Sequence, residues 1–258
     1  MSKAANSIKF KIEQTMLINF VTVLKELVKI DSMIYFNFTT KNEVLIYSLA
    51  GTKQVIYSIK SYLYKISELF SVANKPIDKE LKLIVKDGQK FIKNLSSFID
   101  YPDNYNLEFF INEDDIIENV VIKNSKLKMN FIGTEPSICN NIINLDDVIA
   151  MLDISTSLLT LKLFKQDFDK IKKLSLIDKV EDKSYRLEVV DNKIYIKESG
   201  WSLMVGEGDY PEQAFNIPAK YFNNINFVAE DVVIYFFDNF LLVQNNTTNF
   251  VIALEVTI

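Results

Sequence analysis

Lysine side chains recur at helical spacing along several amphipathic stretches of this sequence. Lys86, Lys90 and Lys93 repeat on one face of a predicted helix over 87–99, and apolar residues fill the opposite face. Similar lysines follow on three other predicted helices, which gives the candidate set Lys25, Lys29, Lys86, Lys90, Lys93, Lys170, Lys172, Lys173 and Lys220. An ammonium group contacts phosphate as a point charge, and Arg186 is the only arginine available for bidentate recognition of a base. These residues therefore predict a phosphate-bearing partner, bound without base specificity and more weakly at high salt.

Positive charge is concentrated on these helices, although the whole chain is acidic. The 258 residues hold 29 Lys and Arg against 34 Asp and Glu, so the net charge is −5. The four helical segments hold ten lysines and four acids, a surplus of six, which leaves −11 for the rest of the chain. One basic surface on an acidic protein favours a polyanionic partner that binds that surface alone. The alternative is that the lysines are ordinary solvated residues, since lysine also favours helix formation.

The residues that are scarce exclude several kinds of chemistry. The chain has no histidine, which rules out Ser-His-Asp and Cys-His nucleophile systems and removes the commonest metal ligand. Cys139 is the single cysteine, has no base near it in the sequence and cannot form an internal disulfide, so a reducing compartment is the natural setting. The first twenty residues lack the apolar core of a signal peptide, and 16–30 is too short and too charged to span a bilayer. We expect a cytoplasmic protein.

A few acidic and glycine-containing stretches could support other activities. The Glu-X-Lys pattern within 77–82 mimics part of a metal-dependent nuclease site, but such a site needs carboxylates that converge from separate strands. The acid pairs at 114–115 and 146–147 could bind a divalent cation, although adjacent acids in turns are commonly just solvated. The stretch 206–208 lacks the third glycine of a phosphate loop, and Trp201 fits a core position better than a stacking platform. We therefore expect no catalysis, no metal and no cofactor.

The two halves of the sequence predict the same order of elements. Alternating apolar residues predict strands, and apolar periodicity near 3.6 residues predicts helices. The first half predicts a strand near 8–12, a helix over 14–29, strands over 33–39, 43–49 and 54–59, a helix over 87–99, and strands over 106–111, 116–123 and 126–131. The second half predicts a strand over 159–163, a helix over 165–174, strands over 185–190, 193–198 and 201–206, a short helix from Pro218, and strands over 232–237, 240–244 and 249–256. An additional helix is predicted within 60–76.

The repeated order predicts an α+β protein made of two similar domains. We place the N-terminal domain at 1–157, including a connector over about 134–157, and the C-terminal domain at 158–258. The connector holds Pro136 and the acid pair at 146–147, which is typical of a linking segment.

Three stretches of the chain resemble a known family. The C-terminal stretch 249–255 (NFVIALE) is similar to the last strand of the DNA sliding clamps, the ring-shaped processivity factors of DNA polymerases, and above all to those of tailed phages. The stretch 215–222 (FNIPAKYF) resembles their final inner helix, and 85–95, with Asp87-Gly88 near its start, resembles their second helix. The resemblance extends over most of the chain in order and spacing, but it does not cover 60–76 or parts of the connector.

This resemblance implies a fold, an assembly and a function. Each clamp domain has antiparallel sheets on the outside and two helices on the inner face, and six domains surround duplex DNA, so two domains per chain imply a homotrimer. The candidate lysines would line the hole and contact double-stranded DNA without sequence preference, while the ring tethers the replicative DNA polymerase. A clamp loader ATPase would open the ring. The clamp itself would not be an enzyme and would need no cofactor.

The resemblance also implies where partners dock, and one other class of protein stays open. Partner peptides of this family bind near the connector and the C-terminal strand, which implies 146–157 and 253–258 here. A β-rich phage structural protein, such as a tail or baseplate ring, would also be oligomeric and non-enzymatic. It should, however, lack the bias toward lysine on its helices.

Overall fold

Two α+β units make up the chain in a computed structural model, which describes residues 6–51, 56–72, 76–100, 104–138, 150–176, 183–225, 231–245 and 248–255. The first unit comprises 1–55 and 60–143, and the second comprises 56–59 and 144–258. Strand pairs within the described sheets are antiparallel, and helices are few and short. The predicted α+β class is confirmed. The domain boundary near Ser157 stays a prediction, and residues 139–149 of the predicted connector, with Cys139 and the acid pair at 146–147, lie outside the described residues.

The first unit carries strands β1 to β9 and helices α1 to α3, except that the first four residues of β4 are assigned to the second unit. Their bounds are β1 (Ser7–Ile12), α1 (Gln14–Leu27), β2 (Ile34–Phe38), β3 (Glu43–Gly51), β4 (Ile56–Lys65), α2 (Ile66–Leu69), β5 (Ser71–Val72), β6 (Leu81–Val85), α3 (Gly88–Ile99), β7 (Tyr105–Ile111), β8 (Ile117–Lys123) and β9 (Lys128–Ile132). One sheet has the strand order β5-β1-β7-β8-β9, and β4, β3, β2 and β6 are successive neighbours in another.

An aromatic core holds the first unit together. On β1, Ile8, Phe10 and Ile12 are buried and the residues between them are not, so the burial of alternate side chains fixes which face of the strand points inward. The Phe10 ring centre lies 5.1 Å from that of Phe109 on β7 and 5.5 Å from that of Phe70. The apolar faces of α1 and α3 belong to the same cluster of buried residues. Both helices therefore direct their polar faces away from this core.

Helices α1 and α3 lie antiparallel to each other. At the start of α1, the Gln14 side-chain amide donates a hydrogen bond to the Ile99 carbonyl at the end of α3, with an N–O distance of 2.7 Å. At the other end, the Gly88 backbone N–H donates to the Ser32 carbonyl, just beyond α1, at 2.8 Å. The end of α1 is thus held beside the start of α3.

The second unit repeats this plan in a shorter form. Its elements are β10 (Leu159–Leu163), α4 (Lys165–Ser175), β11 (Ser184–Val190), β12 (Lys193–Glu198), β13 (Trp201–Glu207), β14 (Gln213–Pro218), α5 (Ala219–Phe222), β15 (Val232–Phe236), β16 (Phe240–Gln244) and β17 (Thr248–Ala253). One sheet has the order β13-β12-β11-β14, and β10, β15, β16 and β17 are successive neighbours in another. Helix α4 buries Phe168 and Ile171, and the Phe168 ring centre lies 5.6 Å from that of Phe222 on α5. An aromatic contact therefore joins α4 to α5.

Most predicted elements are confirmed, and two predictions are wrong. The predicted helix within 60–76 is mainly strand, because β4 continues to Lys65 and only Ile66–Leu69 is helical. The residues of β4 from Ser58 to Tyr62 are all buried, and burial on both faces removes the alternation that marks a strand in a sequence. Three strands that precede the last helix of their unit were also missed: β5 and β6 in the first unit, and β14 in the second.

Gly88 allows the close approach of α3 to the end of α1, which predicts a large effect of a small substitution. A Cβ atom at Gly88 would lie 2.7 Å from Val28 Cγ1 and 2.8 Å from the Ser32 carbonyl oxygen, and a backbone oxygen cannot move cheaply. We expect Gly88→Ala to lower the free energy of unfolding by about 1–3 kcal/mol, despite the higher helix propensity of alanine. Urea titration followed by circular dichroism measures this change.

Gly206→Ala is the matched control for that substitution. A Cβ atom at Gly206 would meet the Leu161 side chain at 3.0 Å, and no backbone atom is among its nearest neighbours. We expect a loss well below that at Gly88. Equal losses at the two positions would contradict the tight contact between α1 and α3.

Candidate nucleic-acid interface

The antiparallel pair of α1 and α3 brings five of the predicted lysines to neighbouring positions. Lys25 lies in the last turn of α1 and Lys29 follows it, while Lys86 and Lys90 flank the start of α3. Lys93 lies one turn further along α3. All five side chains are exposed. We call Lys25, Lys29, Lys86, Lys90 and Lys93 the α1/α3 lysine cluster.

The amphipathic pattern of α3 explains why its lysines face solvent. Phe91, Ile92, Leu95 and Phe98 are buried against the core, so the lysines occupy the opposite face. Asp87, the one acid of this segment, caps the helix: its carboxylate accepts a hydrogen bond from the Lys90 backbone N–H at 2.9 Å.

Most lysines of the cluster have no acidic partner among the described residues. Lys25, Lys86, Lys90 and Lys93 form no ion pair with any acid in the part of the chain that the structure describes. Their positive charge is therefore available to an anion outside the protein.

A groove beside the start of α3 was not predicted from the sequence. It has a volume of about 280 Å³. Its lining residues are Lys86, Asp87, Lys90, Phe91, Asn94, Asn130, Phe131, Ile132 and Thr134. Ammonium and amide groups can both donate to an anionic oxygen. Because the groove joins α3 to β9, only the fold reveals it: Asn130 and Thr134 are distant from the lysines in sequence.

Lys29 belongs to a group of three charges that the sequence did not reveal. Its ammonium nitrogen lies 2.6 Å from Glu26 Oε1, and the Lys60 nitrogen lies 3.3 Å from Glu26 Oε2. The Lys60 side chain is 1% exposed, whereas that of Lys29 is 52% exposed. Burial lowers the pKa of the Lys60 amine, and the Glu26 carboxylate offsets this only partly. Burial alone would raise the pKa of Glu26, but hydrogen bonds and charge from Lys29 and Lys60 hold it below its usual value.

The predicted lysines of the second unit are more engaged within the protein. Lys170 pairs with Asp167 at 3.2 Å, and Lys172 is half-buried with its nitrogen 4.5 Å from the centre of the Phe168 ring. Lys173 is exposed and forms no ion pair with a described acid. Lys220 on α5 is exposed, with its nitrogen 5.5 Å from the centre of the Tyr221 ring. The second unit therefore offers less uncompensated positive charge than the first.

A nearly buried ion pair anchors the end of α4. The Lys183 nitrogen lies 3.0 Å from a Glu198 carboxylate oxygen and also donates to the Ser175 carbonyl, the last of α4, at 2.9 Å. The Trp201 indole N–H donates to the other oxygen of Glu198 at 3.2 Å. Trp201 thus takes part in a structural network, and removal of either charge would leave the other buried without its partner.

Those acids considered above that the structure describes form no metal site, and the pair at 146–147 lies outside the described residues. Within the described residues, no three cysteine or acidic side chains cluster closely enough to hold a metal ion. Asp115 pairs with Lys79, and the Asn112 side chain accepts hydrogen bonds from the backbone of Asp114 and Ile116 in a tight turn. None of the helices described is both long and apolar enough to cross a bilayer.

Several solved structures share this fold. A putative DNA polymerase III beta subunit from Eubacterium rectale superposes with a TM-score of 0.67 at 13% identity, over 97% of this chain and 66% of that chain. PCNA from A. fulgidus, solved with the C-terminal region of FEN-1 bound, gives 0.62 at 15% identity, over 97% of this chain and 99% of that chain. The PCNA2-PCNA3 complex from Sulfolobus tokodaii gives 0.62 at 16% identity, over 96% and 99%.

These similarities define the class of fold. The chain has the fold of the DNA sliding clamps, as the sequence predicted. It spans about two thirds of the length of the bacterial beta subunits and nearly the full length of the archaeal PCNA chains. No family model matches the sequence, and no curated protein matches it.

Proposed function

We propose that this protein is a DNA sliding clamp: a ring of three identical chains that encircles double-stranded DNA and tethers a DNA polymerase to it. The observation that carries this proposal is the α1/α3 lysine cluster on a clamp fold. Exposed ammonium groups on long, flexible side chains hold phosphate loosely and interchangeably, so the ring can move along the duplex without stopping at any base sequence. The acidic remainder of the chain discourages DNA from binding elsewhere.

All nine candidate lysines keep this proposed role, with unequal weight. Lys25, Lys29, Lys86, Lys90 and Lys93 in the first unit supply most of the uncompensated charge. In the second unit, Lys170, Lys172, Lys173 and Lys220 contribute less, because Lys170 is paired and Lys172 is half-buried. No residue of this set has a catalytic role in the proposal, and a clamp of this kind needs no cofactor.

Chain length supports three copies in the ring. The chain matches about two thirds of a bacterial beta subunit, which fits two domains where that subunit has three. Six domains in a closed ring then require three copies of this chain. Three identical copies joined head to tail close the ring through one repeated interface.

Two strand edges are suited to that interface. Strand β9 ends one sheet of the first unit, and β13 ends one sheet of the second. Ile132 on β9 is 83% exposed and Met204 on β13 is 47% exposed. An antiparallel pair with Ile132 opposite Met204 would place Phe131 opposite Val205, so that apolar side chains meet on both faces. Pairing the two edges between copies would also remove two aggregation-prone surfaces.

The opposite edge of the β13 sheet is already partly covered within the chain. The Glu255 backbone N–H donates to the Asn216 carbonyl on β14 at 2.9 Å, and the Ser184 hydroxyl hydrogen-bonds to the Glu255 carboxylate. Strand β14 is therefore a poorer candidate for pairing between copies than β13.

Polymerase and loader contacts complete the proposal. Clamps of this fold have been solved with a DNA ligase peptide and with the C-terminal region of FEN-1 bound, which supports peptide docking here. We propose the segments 146–157 and 253–258 as the docking region, of which 150–157 and 253–255 are described.

A clamp loader ATPase would open the ring in the cytoplasm. The similarity of 249–255 to tailed-phage clamps supports a phage origin and a host cytoplasmic location.

Solution mass followed by primer extension tests this function. We expect a species of three times the 29.8 kDa chain mass, and longer products per polymerase binding event when the protein, its own polymerase and its own loader are combined. A stable monomer that never lengthens the products would contradict the proposal. An oligomer that forms but leaves synthesis unchanged would favour the structural phage ring instead.

A further inference from the structure

Glu26 is an acid in an unfavourable place for a phosphate-binding surface. It lies between Lys25 and Lys29 at the end of α1, and the 14 residues of that helix contain no other acid. Its carboxylate is 2.6 Å from the Lys29 nitrogen. Taken alone, the Glu26 carboxylate would cancel the charge of Lys29 and would repel an approaching phosphate.

A second lysine reaches the same carboxylate from inside the protein. The Lys60 nitrogen lies 3.3 Å from Glu26 Oε2, and the Lys60 side chain is 1% exposed on β4. Lys60 is too deeply buried to touch DNA. Burying an ammonium group is costly unless an acid lies nearby, so Lys60 depends on Glu26.

We propose that Lys60 is a buried counter-charge that cancels Glu26 and so leaves Lys29 available to DNA phosphate. This inference rests on the proposed function. With Lys60 present, the two lysines and one carboxylate have a net charge of +1, and the exposed member, Lys29, presents it to solvent. Without Lys60 the net charge is zero. Lys60 is thus a positioning residue that acts through Glu26.

Lys60→Met is the direct test, because methionine is a straight apolar chain that suits a buried site. Binding of a labelled short linear duplex is measured by fluorescence anisotropy at several salt concentrations. The slope of log K against log salt is negative, and we expect its magnitude to decrease by about one, the loss of one phosphate contact. Lys65→Met is the matched control: it removes one lysine from the same strand, but this lysine is exposed and forms no ion pair with Glu26. It should leave the slope unchanged.

Two further variants separate this role from a merely structural one. In the wild-type background, Lys29→Gln should decrease the magnitude of the slope by about one. In Lys60→Met it should change the slope by almost nothing, because Glu26 already neutralises the charge of Lys29 there. The double variant Glu26→Gln with Lys60→Met removes the buried pair as a whole, so it folds even if Lys60→Met does not. Because Lys29 keeps its charge there, the slope should return to the wild-type value.

The outcomes separate this inference from the proposed function. If the wild type binds the duplex, and Lys60→Met behaves like Lys65→Met or Lys29→Gln costs the same in both backgrounds, the inference is overturned and the proposed function stands. If the wild type shows no salt-dependent binding to the duplex, the inference is overturned, and solution mass with primer extension decides the proposed function separately. Circular dichroism of every variant shows that folded proteins are compared.

Discussion

Replacing Lys90 and Lys93 together by glutamate is expected to weaken DNA binding at least ~10-fold and to decrease the magnitude of the slope of log K against log salt by about two. Both side chains are exposed on α3, and neither pairs with a described acid, so each reversal removes one attractive charge and adds one repulsive charge. Primer extension by the polymerase should lose processivity to a similar degree. The buried face of α3 is untouched, so the mass in solution and the free energy of unfolding should not change.

Lys41→Glu with Lys123→Glu is the matched control for that double reversal. Both lysines are exposed, both belong to the first unit, and neither lies on α1 or α3. The control changes the net charge by the same amount, so any general effect of acidity on DNA binding appears in it equally. If both double variants lose affinity to the same degree, the α1/α3 lysine cluster is not the site of contact.

Ile132→Asp is expected to dissociate the proposed trimer. Ile132 is 83% exposed on β9, so a carboxylate there costs little in the isolated chain. Across a strand pair with the next copy it would be buried against apolar side chains such as Met204. The cost is about 2 kcal/mol or more per interface, a loss of roughly 30-fold in affinity. Light scattering over a dilution series measures the mass, and Met204→Asp should act in the same direction.

Leu63→Asp controls for the general effect of a new charge on a strand. Leu63 on β4 is 49% exposed, close to the 47% of Met204, but it lies on neither of the two edges. It should leave the mass unchanged. A trimer that survives Ile132→Asp and Met204→Asp would contradict the assignment of β9 and β13 to the interface, whatever the oligomeric state of the wild type.

The α3 segment shows what the sequence makes predictable. Its apolar and basic residues separate cleanly at helical spacing, and Asp87 precedes it as a capping residue. The bounds predicted for the helix and the faces predicted for its lysines therefore agree with the structure. The same contrast between two faces makes α1 and α4 predictable.

The β4 segment shows what the sequence conceals. A strand that is buried on both faces has no alternation, and a lysine in its centre suggests a solvent-exposed element. Lys60 is buried beside Glu26, which lies 34 residues earlier in the sequence and approaches it in the folded chain. The groove beside α3 was missed for a related reason, since β9 supplies residues far from the helix in sequence. Contacts between residues this far apart in the sequence depend on tertiary packing, so they leave no local pattern in the sequence.

The uneven pairing of lysines means that the two units are not interchangeable. In the second unit, three of the four candidate lysines contact groups within the unit: Lys170 pairs with Asp167, and the Lys172 and Lys220 nitrogens lie near aromatic rings. In the first unit, the lysines of the α1/α3 lysine cluster are all exposed, and most of them pair with no described acid. Under the proposed function, the first unit would thus supply most of the contact with the polyanion, while the second keeps more of its lysines for contacts within the unit. Mutational tolerance should differ accordingly, with charge loss felt most in the N-terminal half.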